Sequence, residues 1–158
     1  MTPRAVFDCM VYLQGAGSPN GPSAACLELA STGRLTLVVS DAILAEVRNV
    51  LSRPKTRKRF SGLTDESLVE FLAKLGRYAV HLVDAPGVVR LARDTKDEKY
   101  LNLAIAANAT YLVSRDNDLL DLMTGDNADA LAFRALAPAV RIVEPVMFLR
   151  SLTAAEDA

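Results

Sequence analysis

The stretch DEKYLNLAIAANATYLVSRDNDLL, residues 97–120, joins two patterns that together decide the fold. Asp97 opens a helical pattern through Ala107, with Leu101, Ala104, Ile105 and Asn108 on one face. Tyr111 to Ser114 then changes to a short apolar run, as expected for a strand buried on both faces. A helix feeding directly into such a strand is half of a parallel crossover unit. Two carboxylates, Asp116 and Asp118, follow the strand at once, ahead of a short helix expected over Leu119 to Met123.

The same alternation extends outward in both directions. Ala5 to Asp8, Leu35 to Ser40, Ala79 to Val83 and Val140 to Val143 read as further strands. Ser23 to Ser31 reads as a helix stopping near Gly33. Ser40 or Asp41 caps a helix through Glu46 to about Leu51, which Pro54 ends or kinks. Thr64 opens another helix to about Gly76, with only a partial cap because Ser67 stands where a capping box has Glu or Gln. Strands alternating with helices predict a three-layer α/β/α sandwich around a parallel sheet of four to five strands, Rossmann-like in plan. Residues 1–150 are expected to form one domain and 151–158 a flexible tail, small and acidic from Thr153 onward.

Composition narrows the chemistry. The chain has 158 residues, 51% of them apolar, which suits one packed core. A net charge of −1 gives no global pull toward nucleic acid or anionic lipid, which argues against a bulk nucleic-acid binder and leaves room for one local patch. His81 is the lone histidine and sits in an expected strand. A histidine-pair mechanism is therefore excluded, and no zinc-ligand spacing links His81 with Cys9 and Cys26. Two unspaced cysteines, no membrane-length apolar run and no signal-peptide core make a cytoplasmic protein the expectation. With twelve Asp and seven Glu, carboxylates binding a hard cation are the economical design for an enzyme.

Position matters more than number. Asp8 ends the first strand, and Asp116 lies two residues past the fourth. In parallel α/β sheets the carboxyl ends of the strands line the ligand crevice. Glu46 falls in the first two turns after the second strand, and Asp97 starts the helix that leads into the fourth. Crossover topology can bring all four to one sheet edge. Carboxylates gathered there raise each other's pKa, and Mg²⁺ or Mn²⁺ relieves the repulsion while activating water beside a phosphodiester. Each residue alone also has a plain reading. Asp8 can start a turn, Glu46 can be solvated on its helix, Asp97 can be an N-cap, and Asp116 with Asp118 can open a short helix. Only their joint placement points to a site.

Two other stretches carry possible chemistry. Gly15 to Gly21 looks like a glycine-rich nucleotide loop, but Cys9 to Gln14 separate it from the strand, and Pro19 and Pro22 suit a loop between helices. Arg53, Lys55, Arg57, Lys58 and Arg59 place five cations within seven residues, a candidate RNA phosphate contact beside a single aromatic, Phe60.

Taken together, these pieces resemble the PIN-domain (PilT N-terminal) nucleases, especially the branch regarded as toxins of toxin–antitoxin pairs. The resemblance runs from Arg4 to about Phe148. It is carried by Val6-Phe7-Asp8-Cys9, by Ser40-Asp41 with Glu46, by the acidic helix start Arg93 to Leu101, by the alanines 104, 106 and 107, and by Tyr111 to Leu120. It implies Asp8, Glu46, Asp97 and Asp116 as an acidic quartet holding one or two Mg²⁺ or Mn²⁺ ions. Asp118 is implied as an outer ligand or substitute, Asp94 and Glu98 as neighbours, and Ser114 as a hydroxyl hydrogen-bonded to a carboxylate. It further implies an endoribonuclease acting on RNA, a homodimer, and a small antitoxin that covers the acidic cleft. One departure stands out. The family usually has Asn two residues after the first Asp, and this chain has Met10. Met cannot orient carboxylates, so a catalytically weak or inactive RNA- or partner-binding module is the first alternative. A small nucleotide-binding α/β protein is the second, and a receiver-like phosphoacceptor domain the third.

Overall fold

The computed structural model describes residues 2–83, 87–91 and 95–157. Five strands form one parallel sheet: β1 (Arg4–Phe7), β2 (Thr36–Val39), β3 (Val80–His81), β4 (Tyr111–Val113) and β5 (Arg141–Val143). Their spatial order is β3-β2-β1-β4-β5. The chain thus starts at the centre, runs out to β3, and returns to the other side of β1. The strand order reverses between β1 and β4, where open α/β sheets form their ligand crevice. Register is set there by Ala5 opposite Tyr111, Val6 opposite Leu112 and Phe7 opposite Val113. All six of these side chains are buried, which explains the unbroken apolar runs in the sequence. β3 is shorter than expected and exposed, an edge strand where His81 Nε2 meets Asp41 Oδ1 at 2.8 Å.

The helices follow local rules. α1 (Cys9–Gly17) leaves β1 directly, with Asp8 as its N-cap. α2 (Pro22–Ser31) starts on a proline and stops before Gly33, whose φ of 81° lies in the left-handed region that glycine tolerates. α3 (Asp41–Ser52) is capped by the Ser40 hydroxyl and yields to α4 (Pro54–Arg59) at Pro54. α5 (Asp65–Tyr78) has a complete capping box, contrary to the partial cap expected. The Ser67 N–H donates to Thr64 Oγ1 at 3.0 Å, and the Thr64 N–H donates to Ser67 Oγ at 2.8 Å. A serine reaches back here as the usual Glu or Gln would.

A 3-10 turn (Thr95–Asp97) precedes α6 (Glu98–Ala106). Tyr100 to Ala104 are all buried, so this helix is enclosed rather than amphipathic on the single face expected. It packs against β1, β4 and α3. Asn108 does not extend that face. It adopts a left-handed φ of 52° and turns the chain toward β4. α7 (Asn117–Leu120) and a 3-10 turn (Asp121–Met123) cover the short helix expected there.

Four helices were not anticipated: α1, α4, α8 (Ala128–Leu136) and α9 (Pro145–Asp157). α9 carries the chain through Thr153, where fraying was expected, with Arg34 paired to Glu156. Its anchor is Phe148, fully buried against Tyr111 and Phe7 at ring separations of 5.0 and 6.1 Å. Burial of one such ring is worth about 1.5–3 kcal/mol.

Candidate metal centre

The crevice between β1 and β4 is built from the backbone outward. Phe7 ends β1, and the Asp8 N–H donates to the Val113 carbonyl at 3.0 Å, stitching the two strand ends together. Asp8 is buried, with 4% of its surface exposed. Its Oδ1 accepts from Val11 N at 3.2 Å, and its Oδ2 accepts from the fully buried Ser114 hydroxyl. Ser114 Oγ in turn accepts from Asp116 N at 2.9 Å. One hydroxyl therefore joins the Asp8 carboxylate to the backbone of Asp116, across the ends of neighbouring strands.

Asp97, Asp116 and Asp118 come together beside this pair. Each offers a carboxylate oxygen, and the three oxygens lie within 4.8 Å of one another. Asp97 is buried, and the other two are half-buried. Local structure explains the arrangement. Asp116 Oδ1 accepts from Asp118 N at 2.9 Å, an N-cap turn that folds the two carboxylates toward each other. Asp97 occupies the N-cap position of α6, as its plain reading expects, but makes no side-chain cap bond. An ion with oxygen ligands at about 2.1 Å spans up to about 4.2 Å between opposite ligands, so small shifts let one Mg²⁺ or Mn²⁺ bridge the three. The donor set is all oxygen, as those cations prefer.

Electrostatics at Asp8 are consistent with a crowded acidic pocket. Its pKa is raised to about 6, chiefly because burial strips water from the charged form, with the Asp116 charge adding to the rise. The Ser114 and Val11 hydrogen bonds oppose it.

The other sequence candidates divide. Glu46 is not in the three-carboxylate group. It extends from α3 to an ion pair with Lys99 of α6, beside the Cys9 thiol and the Tyr100 hydroxyl. Glu98 Oε1 accepts from Leu91 N at 2.8 Å, and so holds the segment 87–91 against α6 together with Asn102, which accepts from Val89 N at 2.7 Å. Asp94 lies outside the described residues. Met10 is half-buried and packs on the core, offering the site no strong hydrogen-bonding group. In the basic run, Arg53, Lys55, Lys58 and Arg59 are exposed. Arg57 is tied down, donating from Nε to the Leu51 carbonyl at 2.8 Å and pairing with Asp65 at 3.0 Å.

Sequence reading missed Lys99 and Tyr100. Tyr100 Oη accepts from Cys9 N at 3.1 Å and so joins α6 to the start of α1. The signal was present as a Lys-Tyr pair one turn into an acidic helix start, but nothing local shows which element it faces. The glycine-rich stretch is not a phosphate cradle. Gly15 and Gly17 belong to α1, and a Cβ at either would lie 2.3 Å from Leu27 Cδ1 or 2.5 Å from the Phe60 ring. Both glycines serve close packing.

A carboxylate cluster at the switch point of a doubly wound parallel sheet, with no histidine in it, defines an acidic metal-centre class of α/β domain. Residues 4–118 match the family model described as PIN domain, and the chain belongs to that family. PIN domains are generally metal-dependent nucleases. No curated protein matches the chain in sequence. Among the described residues, no helix is long and apolar enough to cross a membrane.

Proposed function

We propose that this protein is a Mg²⁺- or Mn²⁺-dependent endoribonuclease of the cytoplasm that hydrolyses RNA phosphodiester bonds. The observation that carries the reading is the convergence of Asp97, Asp116 and Asp118 within 4.8 Å at the β1–β4 switch point. Asp97 and Asp116 would hold the ion with Asp118, Asp8 would border it, and Glu46 would complete the acidic wall. When bound, the ion supplies Lewis acidity toward the phosphodiester and activates a water. Ser114 ties the Asp8 carboxylate to the backbone of Asp116. Asp8, buried beside Asp116, would add a carboxylate charge to the ion's surroundings. Exposed Arg53, Lys55, Lys58 and Arg59 offer phosphate contacts without sequence readout. The toxin role, a small antitoxin over the acidic cleft and a homodimer are carried over from the family resemblance.

The deciding assay is cleavage of a mixed RNA substrate with added Mn²⁺, using wild type beside Asp97→Asn and Asp116→Asn. Cleavage by wild type alone supports the enzyme. Metal binding and RNA binding without cleavage by any form would favour the non-catalytic module that Met10 suggests.

A further inference from the structure

Two hydrogen bonds cross the seam between the end of β4 and α1. The inner one runs from the Ser114 hydroxyl to Asp8. The outer one starts a residue further on, where Arg115 Nη1 donates to Gln14 Oε1 at 2.9 Å. The same Gln14 oxygen accepts from the hydroxyl of Ser23, a buried residue of α2, at 3.3 Å. A guanidinium next in sequence to Asp116 is thus held by a side chain that is itself held from α2. Arg115 is exposed, and Gln14 takes one of the five N–H donors that a guanidinium carries.

The length of α1 sets the spacing. Asp8 caps its start, Gln14 stands roughly 9 Å further along, and Gly17 about 4.5 Å beyond Gln14. Gln14 and Gly17, three positions apart, share a side of the helix. Gly17 packs against the Phe60 ring, and Arg59 lies over that ring at 5.0 Å. Along α1, Arg115 therefore stands between the carboxylates and the exposed cations of α4. We infer that Arg115 binds a phosphate of the RNA backbone between those two places, and that Gln14 is its positioning residue. A planar fork of donors suits the oxygens of a phosphate, and a positive charge beside Asp116 offsets the repulsion that carboxylates exert on RNA. The strand then reaches the metal centre across α4 and α1, on the Gln14 side of the crevice. Both roles rest on the proposed reading of the chain as a ribonuclease.

The test is binding of a labelled single-stranded oligoribonucleotide to the full chain across a range of salt, in an Asp97→Asn background that prevents cutting, with circular dichroism to confirm the fold. Arg115→Met is expected to weaken binding about tenfold and to lower the slope of log K against log salt by about 0.7. Arg115→Gln, which keeps a donor for Gln14 and loses the charge, should lower the slope as much, and reads the same quantity should the Met variant misfold. Arg115→Lys should keep the slope and recover only part of the affinity, since an ammonium lacks the fork. Gln14→Met should weaken binding with the slope unchanged, because the charge is still present and no longer held. Mn²⁺ affinity of Arg115→Met in the otherwise wild-type chain, by calorimetry, should be nearly unchanged. A native-like Arg115→Met or Arg115→Gln with the parent's affinity and slope would overturn the inference and leave the ribonuclease reading standing. Loss of Mn²⁺ binding on Arg115→Met would overturn it too, since the residue would then be a prop of the metal centre. No RNA binding by the wild type or its Asp97→Asn form would overturn the ribonuclease reading, and the Arg115 role with it.

Discussion

Ser114 and Asp8 are 106 residues apart in sequence, and the Ser114 hydroxyl donates to Asp8 Oδ2 across the seam between β4 and β1. Ser114 Oγ also accepts from Asp116 N at 2.9 Å, so Ser114 ties both strand ends to the acidic pocket. Ser114→Ala removes the hydroxyl and leaves the buried Asp8 carboxylate and the N–H of half-buried Asp116 each short of a partner. An expected loss of about 1–3 kcal/mol follows from the cost of unsatisfied buried groups. Chemical denaturation at pH 8 measures it. An unchanged midpoint would mean that water replaces the hydroxyl without cost.

Asp8 makes the metal-free protein less stable at neutral pH than at mildly acidic pH. Its pKa rises from 3.8 to about 6 on folding, so between those values the folded state binds more protons than the unfolded state. Stability contributed by the protonated form is fully present below pH 3.8 and is lost as pH rises through 6. A shift of about two units is worth roughly 1–3 kcal/mol. Asp8→Asn should therefore stabilise the metal-free protein at pH 7.5, with the gain shrinking toward pH 4. Melting temperatures across that range, with chelator present, decide the matter. A gain that does not vary with pH would show that burial of charge is not its source.

Gly17 separates the packing role of the glycine stretch from a ligand role. A methyl at this position meets the Phe60 ring at 2.5 Å, so Gly17→Ala must push the ring aside. The expected cost is about 1–3 kcal/mol, in the range of overpacked contacts. Phe60→Leu in the same chain should recover part of it, since residues in contact do not add independently. Unfolding curves of the two single variants and the double variant give the coupling. Neither variant should alter any nucleotide binding. Saturable nucleotide binding that Gly17→Ala abolishes would reinstate the small nucleotide-binding protein.

The sheet was legible because buried parallel strands write themselves as short apolar runs, and Val6-Phe7 and Tyr111-Leu112-Val113 are of that kind. Their polar successors marked the crevice for the same reason: Asp8 and Asp116 stand where the apolar runs stop. α1 was not legible. It contains two glycines, and only the approach of Leu27 and Phe60 explains them. The Thr64 cap was underrated because a serine at the third helical position bonds back only when its rotamer permits, which composition does not reveal. Glu46 shows the limit at the site. Its spacing suited a ligand, but the charge facing it comes from Lys99, 53 positions along the chain. Pairing across elements is set by packing, not by local pattern.

The basic run divides by the same logic, and RNA binding should reveal the division. Arg57 spends its guanidinium on the Leu51 carbonyl and Asp65, so Arg57→Ala should cost about 0.5–1.5 kcal/mol of stability and change the salt dependence of binding little. Arg53, Lys55 and Lys58 are exposed, and Arg59 lies over the Phe60 ring at 5.0 Å. Each of these four that contacts a phosphate should, on substitution by alanine, lower the slope of log K against log salt by about 0.7 for single-stranded RNA. Fluorescence anisotropy with a labelled oligonucleotide, in an Asp97→Asn background that prevents cutting, measures every slope on intact substrate. If Arg57→Ala alone flattens the slope while the four exposed cations do not, the phosphate path crosses the Asp65 side of α4, and RNA competes for the guanidinium that now holds α4 to α5.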